Sequence, residues 1–184
     1  MSIQEDITRS EARMLIELAH SVKPSKVIVE IGTYRGRSTA ALAFGSLMGS
    51  KNRVYAIDPH VEFQGVFGKQ YGLSDQAILY ANLTRLKIGE IVAVICLPSV
   101  NAARAWSEEN IGLLLIDGDH RYEAVCDDFE NWYPFVANSG IIAFHDNYAE
   151  GVKAVIEEII AAKKVYYRGQ VDMLSLFEKV SNDK

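Results

Sequence analysis

Five short runs limit what this chain can fold into more than any other feature: KVIVEIG from Lys26, RVYAID from Arg53, IVAVIC from Ile91, IGLLLIDGD from Ile111 and GIIAFHDN from Gly140. Each is apolar along nearly its whole length, so each reads as a strand buried on both faces rather than one shared between core and water. Stretches with helical character separate them: TYRGRSTAALAFGSLM, then Gln76 to Leu86, SVNAARAW, and Tyr122 to Val136, with Gly151 to Lys163 after the last run. Buried strands alternating with helices build a parallel sheet covered on both sides. Before the first run, Met14, Leu15, Leu18, Ala19 and Val22 mark an amphipathic helix over Glu11 to Val22, ended by Pro24. After the last helix, KVYYRG and MLSLFEKV follow each other with no helix between, which predicts an antiparallel hairpin at one sheet edge. The expected fold is α/β: a doubly wound, mostly parallel seven-stranded sheet with helices on both faces and an antiparallel C-terminal hairpin, in a single domain over residues 1–184.

Composition narrows the function classes. A chain of 184 residues can bury one core without staples. Its formal net charge of -5, with no cluster of Lys and Arg, argues against a nucleic-acid partner. The start MSIQEDITRSEARMLIELAH lacks the basic and apolar regions of a secretory signal, and no apolar run is long enough for a membrane partner. Cys96 and Cys126 lie in no metal-ligand spacing; they read as core thiols in a reducing cytoplasm.

In open α/β sheets ligands bind beyond the carboxyl ends of the strands. Here those ends carry Glu30 and Gly32, Asp58, Leu97 to Ser99, Asp117 to His120, and His145 to Asn147. In EIGTYRGRST, Gly32 and Gly36 permit close backbone approach at a strand-to-helix turn, and the helix start offers amide groups to an anionic part of a ligand. The spacing is not the GxGxxG of dinucleotide folds. Asp58, 26 residues after Gly32, stands about where a carboxylate receives ribose hydroxyls. Asp117, Asp119 and Asp146 collect at adjacent strand ends, a costly gathering without a cation. Between His60 and Ser74, three glycines interleave with Phe63, Phe67 and Tyr71 without a period, which predicts a loop or lid with an apolar lining.

Taken in order and spacing, EIGTYRGRST, AIDP, LLLIDGDH and GIIAFHDN resemble a class I S-adenosylmethionine-dependent methyltransferase with its Rossmann-like fold. The resemblance is to the metal-dependent O-methyltransferases of the catechol and caffeoyl-CoA type and to the small bacterial group acting on sugars. It implies that Glu30, Gly32, Tyr34, Gly36 and Ser38 lie near the methionine part of S-adenosylmethionine, with the Ser38 hydroxyl offered to its carboxylate. Asp58 would hold the ribose, with Pro59 and His60 beside the adenosine, and Ser99 would flank the adenine. Asp117, which also borders the cofactor, would bind a divalent cation together with Asp146 and Asn147. Two carboxylates and an amide oxygen are hard donors suited to magnesium. Such a cation lowers the pKa of an acceptor hydroxyl and orients it. The position three residues beyond the first metal Asp, a Lys in catechol-type relatives, is His120 here; Asp119 matches the base of the sugar-modifying relatives. Asp119 is the first candidate for the proton acceptor and His120 the second.

The expected activity is methyl transfer from S-adenosylmethionine to a hydroxyl of a small acceptor, a sugar or polyol ahead of a catechol. A short lid suggests an open site or one completed by a second subunit in a homodimer. The alternatives are a nicotinamide-dependent oxidoreductase, disfavoured by the first loop, and a non-catalytic nucleoside-binding domain.

Overall fold

The alternation of buried runs and helices produces the expected sheet. The computed structural model describes residues 7–107 and 110–181. Helix α1 (Arg9–Ser21) precedes β1 (Val27–Ile31), α2 (Arg37–Met48) and β2 (Val54–Ile57). A two-stranded hairpin, β3 (Phe63–Gln64) and β4 (Gln70–Tyr71), leads into α3 (Leu73–Leu86), β5 (Val92–Ile95), α4 (Ser99–Arg104) and β6 (Ile111–Ile116). Then come α5 (Tyr122–Trp132), a 3-10 turn (Tyr133–Phe135), β7 (Val136–Phe144), α6 (Glu150–Ala161), β8 (Val165–Val171) and β9 (Leu174–Lys179).

The main sheet has seven strands in the order β5-β2-β1-β6-β7-β9-β8. The first five are parallel, and β9 enters antiparallel between β7 and β8. Successive side chains in a strand point to opposite faces. The apolar runs therefore feed two cores at once. Ile28, Leu113 and Leu115 join α1, α2 and α3 on one face, while Val29, Leu114 and Ile116 join α4, α5 and α6 on the other. Strand order reverses between β1 and β6, so the crevice at their carboxyl ends is the switch point where a ligand is expected.

The structure departs from the sequence reading at several points. The stretch from His60 to Ser74 is not a plain loop: Phe63 pairs with Tyr71 and Gln64 with Gln70, and the rings of Phe63 and Tyr71 stack at 4.7 Å. Helix α5 stops at Trp132 rather than running to Val136. Pro134 lies in the 3-10 turn that follows, and Val136 already pairs with Ile111 in the sheet. A proline withholds a backbone donor, which shortens the helix at this point. Cys126 is half-buried, but Cys96 is exposed and is not a core thiol.

Candidate active site

The strand ends enclose a cavity of about 620 Å³, lined among others by Gly32, Tyr34, Asp58, Pro59, Ser99, Asp117, Asp119, His120 and Asp146. The tight passage from β1 to α2 makes this possible. Gly32 has φ +88°, and a Cβ on it would stand 2.0 Å from the Asp117 carbonyl oxygen. Only glycine lets the first loop turn so close to the end of β6. Gly36, also left-handed at φ 84°, is the residue from which α2 begins.

Asp58 is held by the loops around it. Its Oδ2 accepts the Tyr34 backbone N–H at 2.9 Å, and its Oδ1 accepts that of His60 at 2.8 Å. Each oxygen retains a lone pair, so the carboxylate is oriented and still able to accept from a diol. His60 does not line the cavity: it is buried, with Nδ1 3.7 Å from Asp58.

Glu30 and Ser38 are placed differently from the expectation. Glu30 is fully buried beneath the first loop, where its Oε2 accepts the Thr39 hydroxyl at 2.5 Å and its Oε1 has no hydrogen-bond partner. Ser38 is buried as well. Burial pushes the Glu30 carboxyl up to about 8, against the lowering effect of the Ser38 and Thr39 hydroxyls; Asp117 and Asp58 add to the rise. A carboxyl raised in the folded state binds a proton that the unfolded chain has released above its ordinary value of 4.5. Its contribution to stability is therefore complete below pH 4.5 and is lost as pH rises through about 8. Between these limits Glu30→Gln is expected to melt with a flatter pH profile than the parent, checked by thermal unfolding at several pH values. Parallel profiles would refute this account of Glu30.

At the ends of β6 and β7, two carboxylates and two imidazoles meet. His145 Nδ1 lies 3.1 Å from Asp117 Oδ1 and 3.5 Å from Asp146 Oδ2. Its Nε2 lies 3.3 Å from Glu11 Oε2. Glu11, 0% exposed on α1, also accepts the backbone N–H groups of Thr8 and Met173, each at 2.7 Å. Burial alone would lower the His145 pKa, but the carboxylates beside it raise it to about 11. His120 is likewise lifted against its burial, to about 9, by Asp117 and Asp146. Both aspartates are in turn held below the usual carboxylate range: their burial would raise them, and the imidazoles outweigh it.

The cation site was expected at Asp117, Asp146 and Asn147, which follow the ends of β6 and β7. Asn147 donates its side-chain amide to Ser175 Oγ at 2.9 Å, and its backbone N–H to Met173 O. His120 brings an imidazole beside the two aspartates. One ligand atom each from Asp117, His120 and Asp146 lies within 4.8 Å of the others. His120 Nε2 is 3.1 Å from Asp146 Oδ2 without the alignment of a hydrogen bond, which leaves a buried nitrogen with no hydrogen-bond partner. Two carboxylates and an imidazole fit a divalent cation, and the nitrogen donor widens the choice from magnesium toward manganese, iron or zinc. Asp119 stands at the cavity wall, its Oδ2 2.9 Å from Arg121 Nη1. Arg121 also donates to the carbonyl of Gln64, tying the β3–β4 hairpin to this edge.

The expected apolar lining divides in two. Phe63 and Tyr71 stack beside Tyr34 on the first-loop side, whereas Phe67 lies near His120 and stacks on Tyr148 at 5.2 Å. Phe67 and Tyr148 also wall a second chamber of about 630 Å³ that reaches Gly151 at the start of α6. Tyr148 was not among the sequence candidates, although it follows the HDN cluster directly. Glu11 was missed as well: TRSE is legible as a capping box with Thr8, but its link to His145 is tertiary.

The architecture, a parallel sheet reversing its order beside a glycine loop, with an antiparallel hairpin at one edge and a match to a methyltransferase-domain model, is that of a class I S-adenosylmethionine-dependent methyltransferase. The chain belongs to the methyltransferase-domain family, whose model matches residues 29–147. Its fold is similar to that of cofactor-bound Rv0187 from MTB, with 16% identity, TM-score 0.76, and coverage of 98% of this chain and 84% of that one. It is also similar to an O-methyltransferase from Bacillus cereus in complex with SAH: 19% identity, TM-score 0.72, and coverage of 97% and 84%. An uncharacterized protein of Sinorhizobium fredii is 29% identical over 140 residues, 70% of this chain, but the match spans only 14% of that protein's own length.

Proposed function

We propose that this chain moves the methyl group of S-adenosylmethionine to a hydroxyl oxygen of a small acceptor, with a divalent cation held by Asp117, His120 and Asp146. The observation that carries this reading is the single cavity in which the Asp58 carboxylate and the Asp117–His120–Asp146 cluster both open. Asp58 would receive the ribose hydroxyls, with its direction set by the Tyr34 and His60 amides. The cation, when bound, supplies a lowered pKa and a fixed position for the acceptor hydroxyl. With His120 engaged there, Asp119 would take the proton, its side chain kept at the cavity wall by Arg121. Phe67 and Tyr148 offer flat apolar faces to the body of the acceptor, whether a sugar or a catechol. Most of the rate gain would come from holding the acceptor oxygen in line with the methyl carbon.

The test is calorimetry with S-adenosylmethionine, S-adenosylhomocysteine and NAD, followed by labelled-methyl transfer to a panel of sugars and catechols with and without a chelator. Binding of both sulfur nucleosides, with transfer lost to chelator and restored by added cation, is expected. NAD binding without either nucleoside would overturn the reading, and transfer indifferent to chelator would remove the cation from it. Nucleoside binding with no transfer to any acceptor would favour a non-catalytic domain.

A further inference from the structure

Glu11 does more than close the first turn of α1. It completes the capping box with Thr8, whose backbone N–H it accepts on Oε2 at 2.7 Å. Such a box needs no burial, yet Glu11 is wholly withdrawn from solvent. A carboxylate taken out of water is costly unless donors surround it. Two further donors come from distant parts of the chain: the Met173 backbone N–H, between β8 and β9, meets Oε1 at 2.7 Å, and His145 Nε2 stands 3.3 Å from Oε2. One carboxylate thus joins the start of α1, the β8–β9 turn and the end of β7.

The imidazole carries that contact to the aspartates. A histidine ring turns about a broad, roughly twofold torsion, and a half-turn exchanges Nδ1 with Cδ2 and Nε2 with Cε1. Only one of the two orientations can aim a nitrogen at Glu11 and another at Asp117. It is the one present: Nε2 lies 3.3 Å from Glu11 Oε2 while Nδ1 lies 3.1 Å from Asp117 Oδ1. An ionised carboxylate only accepts, so the ring is the donor at each end. The same Nδ1 stands 3.5 Å from Asp146 Oδ2. A ring pinned at Nε2 therefore meets both carboxylates of the cluster with its other nitrogen.

We propose that Glu11 is a positioning residue for the cation cluster: through the His145 ring it sets the direction in which Asp117 and Asp146 present their oxygens beside His120. The proposal rests on the cation part of the function proposed above. Groups one step removed from a cation orient the side chains that hold it, and losing one typically weakens cation binding about ten- to a hundredfold.

The test titrates manganese(II) into the purified protein at one pH and follows the heat of binding. Glu11→Gln keeps the size of the side chain and loses its charge, whereas Glu11→Asp keeps the charge and loses the reach. Both are expected to bind manganese about ten- to a hundredfold more weakly than the parent, with affinity for S-adenosylhomocysteine unchanged. Thr8→Ala is the control for the docking of α1, because it removes the hydroxyl that accepts the Glu11 N–H and donates to Asp172 Oδ2 but leaves the Glu11 carboxylate in place. Its melting temperature should fall while its manganese affinity stays at the parent value. If both Glu11 variants bind manganese as the parent does, or if Thr8→Ala weakens binding as much as they do, Glu11 only docks α1 and the proposal is wrong. If Glu11→Gln binds weakly but Glu11→Asp matches the parent, the cluster responds to charge and not to the direction of the ring, which also overturns it. A parent that binds S-adenosylhomocysteine but no manganese refutes the cation reading, and this inference with it.

Discussion

Asp146→Asn is expected to lower methyl transfer about a hundred- to a thousandfold, since the charge held at the reacting oxygen is worth several kcal/mol. The substitution suits this position. Asp146 has φ 51°, a left-handed conformation that asparagine tolerates better than most residues. Its side chain keeps the same size at the end of β7, so β7 and its pairing with β6 and β9 should persist. What changes is charge. Asp146 is one of the two carboxylates that raise His120 and His145, so both imidazoles should lose protons at lower pH in the variant. Titration of the histidine ring signals by NMR reads this directly in the cation-free protein. Affinity for S-adenosylhomocysteine should stay near the parent value, because Asp58 and the first loop are untouched. Full transfer activity in Asp146→Asn would remove the cation site from the mechanism.

Gly32→Ala should act on the fold itself. The left-handed φ of +88° costs a residue with a Cβ about 1–3 kcal/mol. The new methyl would also stand 2.0 Å from a backbone oxygen, that of Asp117, which no rotamer change can relieve. The ends of β1 and β6 would have to part, loosening the hydrogen bond from Asp117 N–H to Ile31 O. A total loss of about 4 kcal/mol, or roughly 8–16 °C in melting temperature for a chain of this size, is expected. Gly89→Ala is the matched control, since a Cβ there meets nothing within 4 Å. Its melting temperature should move little. Equal melting of the two variants would show that the close approach of Gly32 to Asp117 is not needed.

Much of the fold was legible because the signals are short-range. Runs such as LLLI, apolar at every position, have to be buried on both faces, and the polar residues that close them have to share one edge of a parallel sheet. The two trailing strands paired as a hairpin for the same local reason. The β3–β4 hairpin gave no such signal: two residues per strand are too few to show a period, and its form depends on Phe63 stacking on Tyr71.

The site divides along the same line. The linear order of residues determined that Gly32, Asp58, Asp117 and Asp146 would meet at the switch point, because each follows a strand whose place in the sheet sets where the chain emerges. It did not determine which side chains face one another. Asp146 turns through a left-handed φ, His120 joins the two aspartates, and Asn147 donates its side-chain amide to Ser175. Glu11 reaches His145 across 134 residues of sequence. Spacing specifies where a strand ends, whereas the direction of a side chain in the loop beyond depends on backbone torsions and on partners brought from other elements. Only the assembled tertiary structure supplies those.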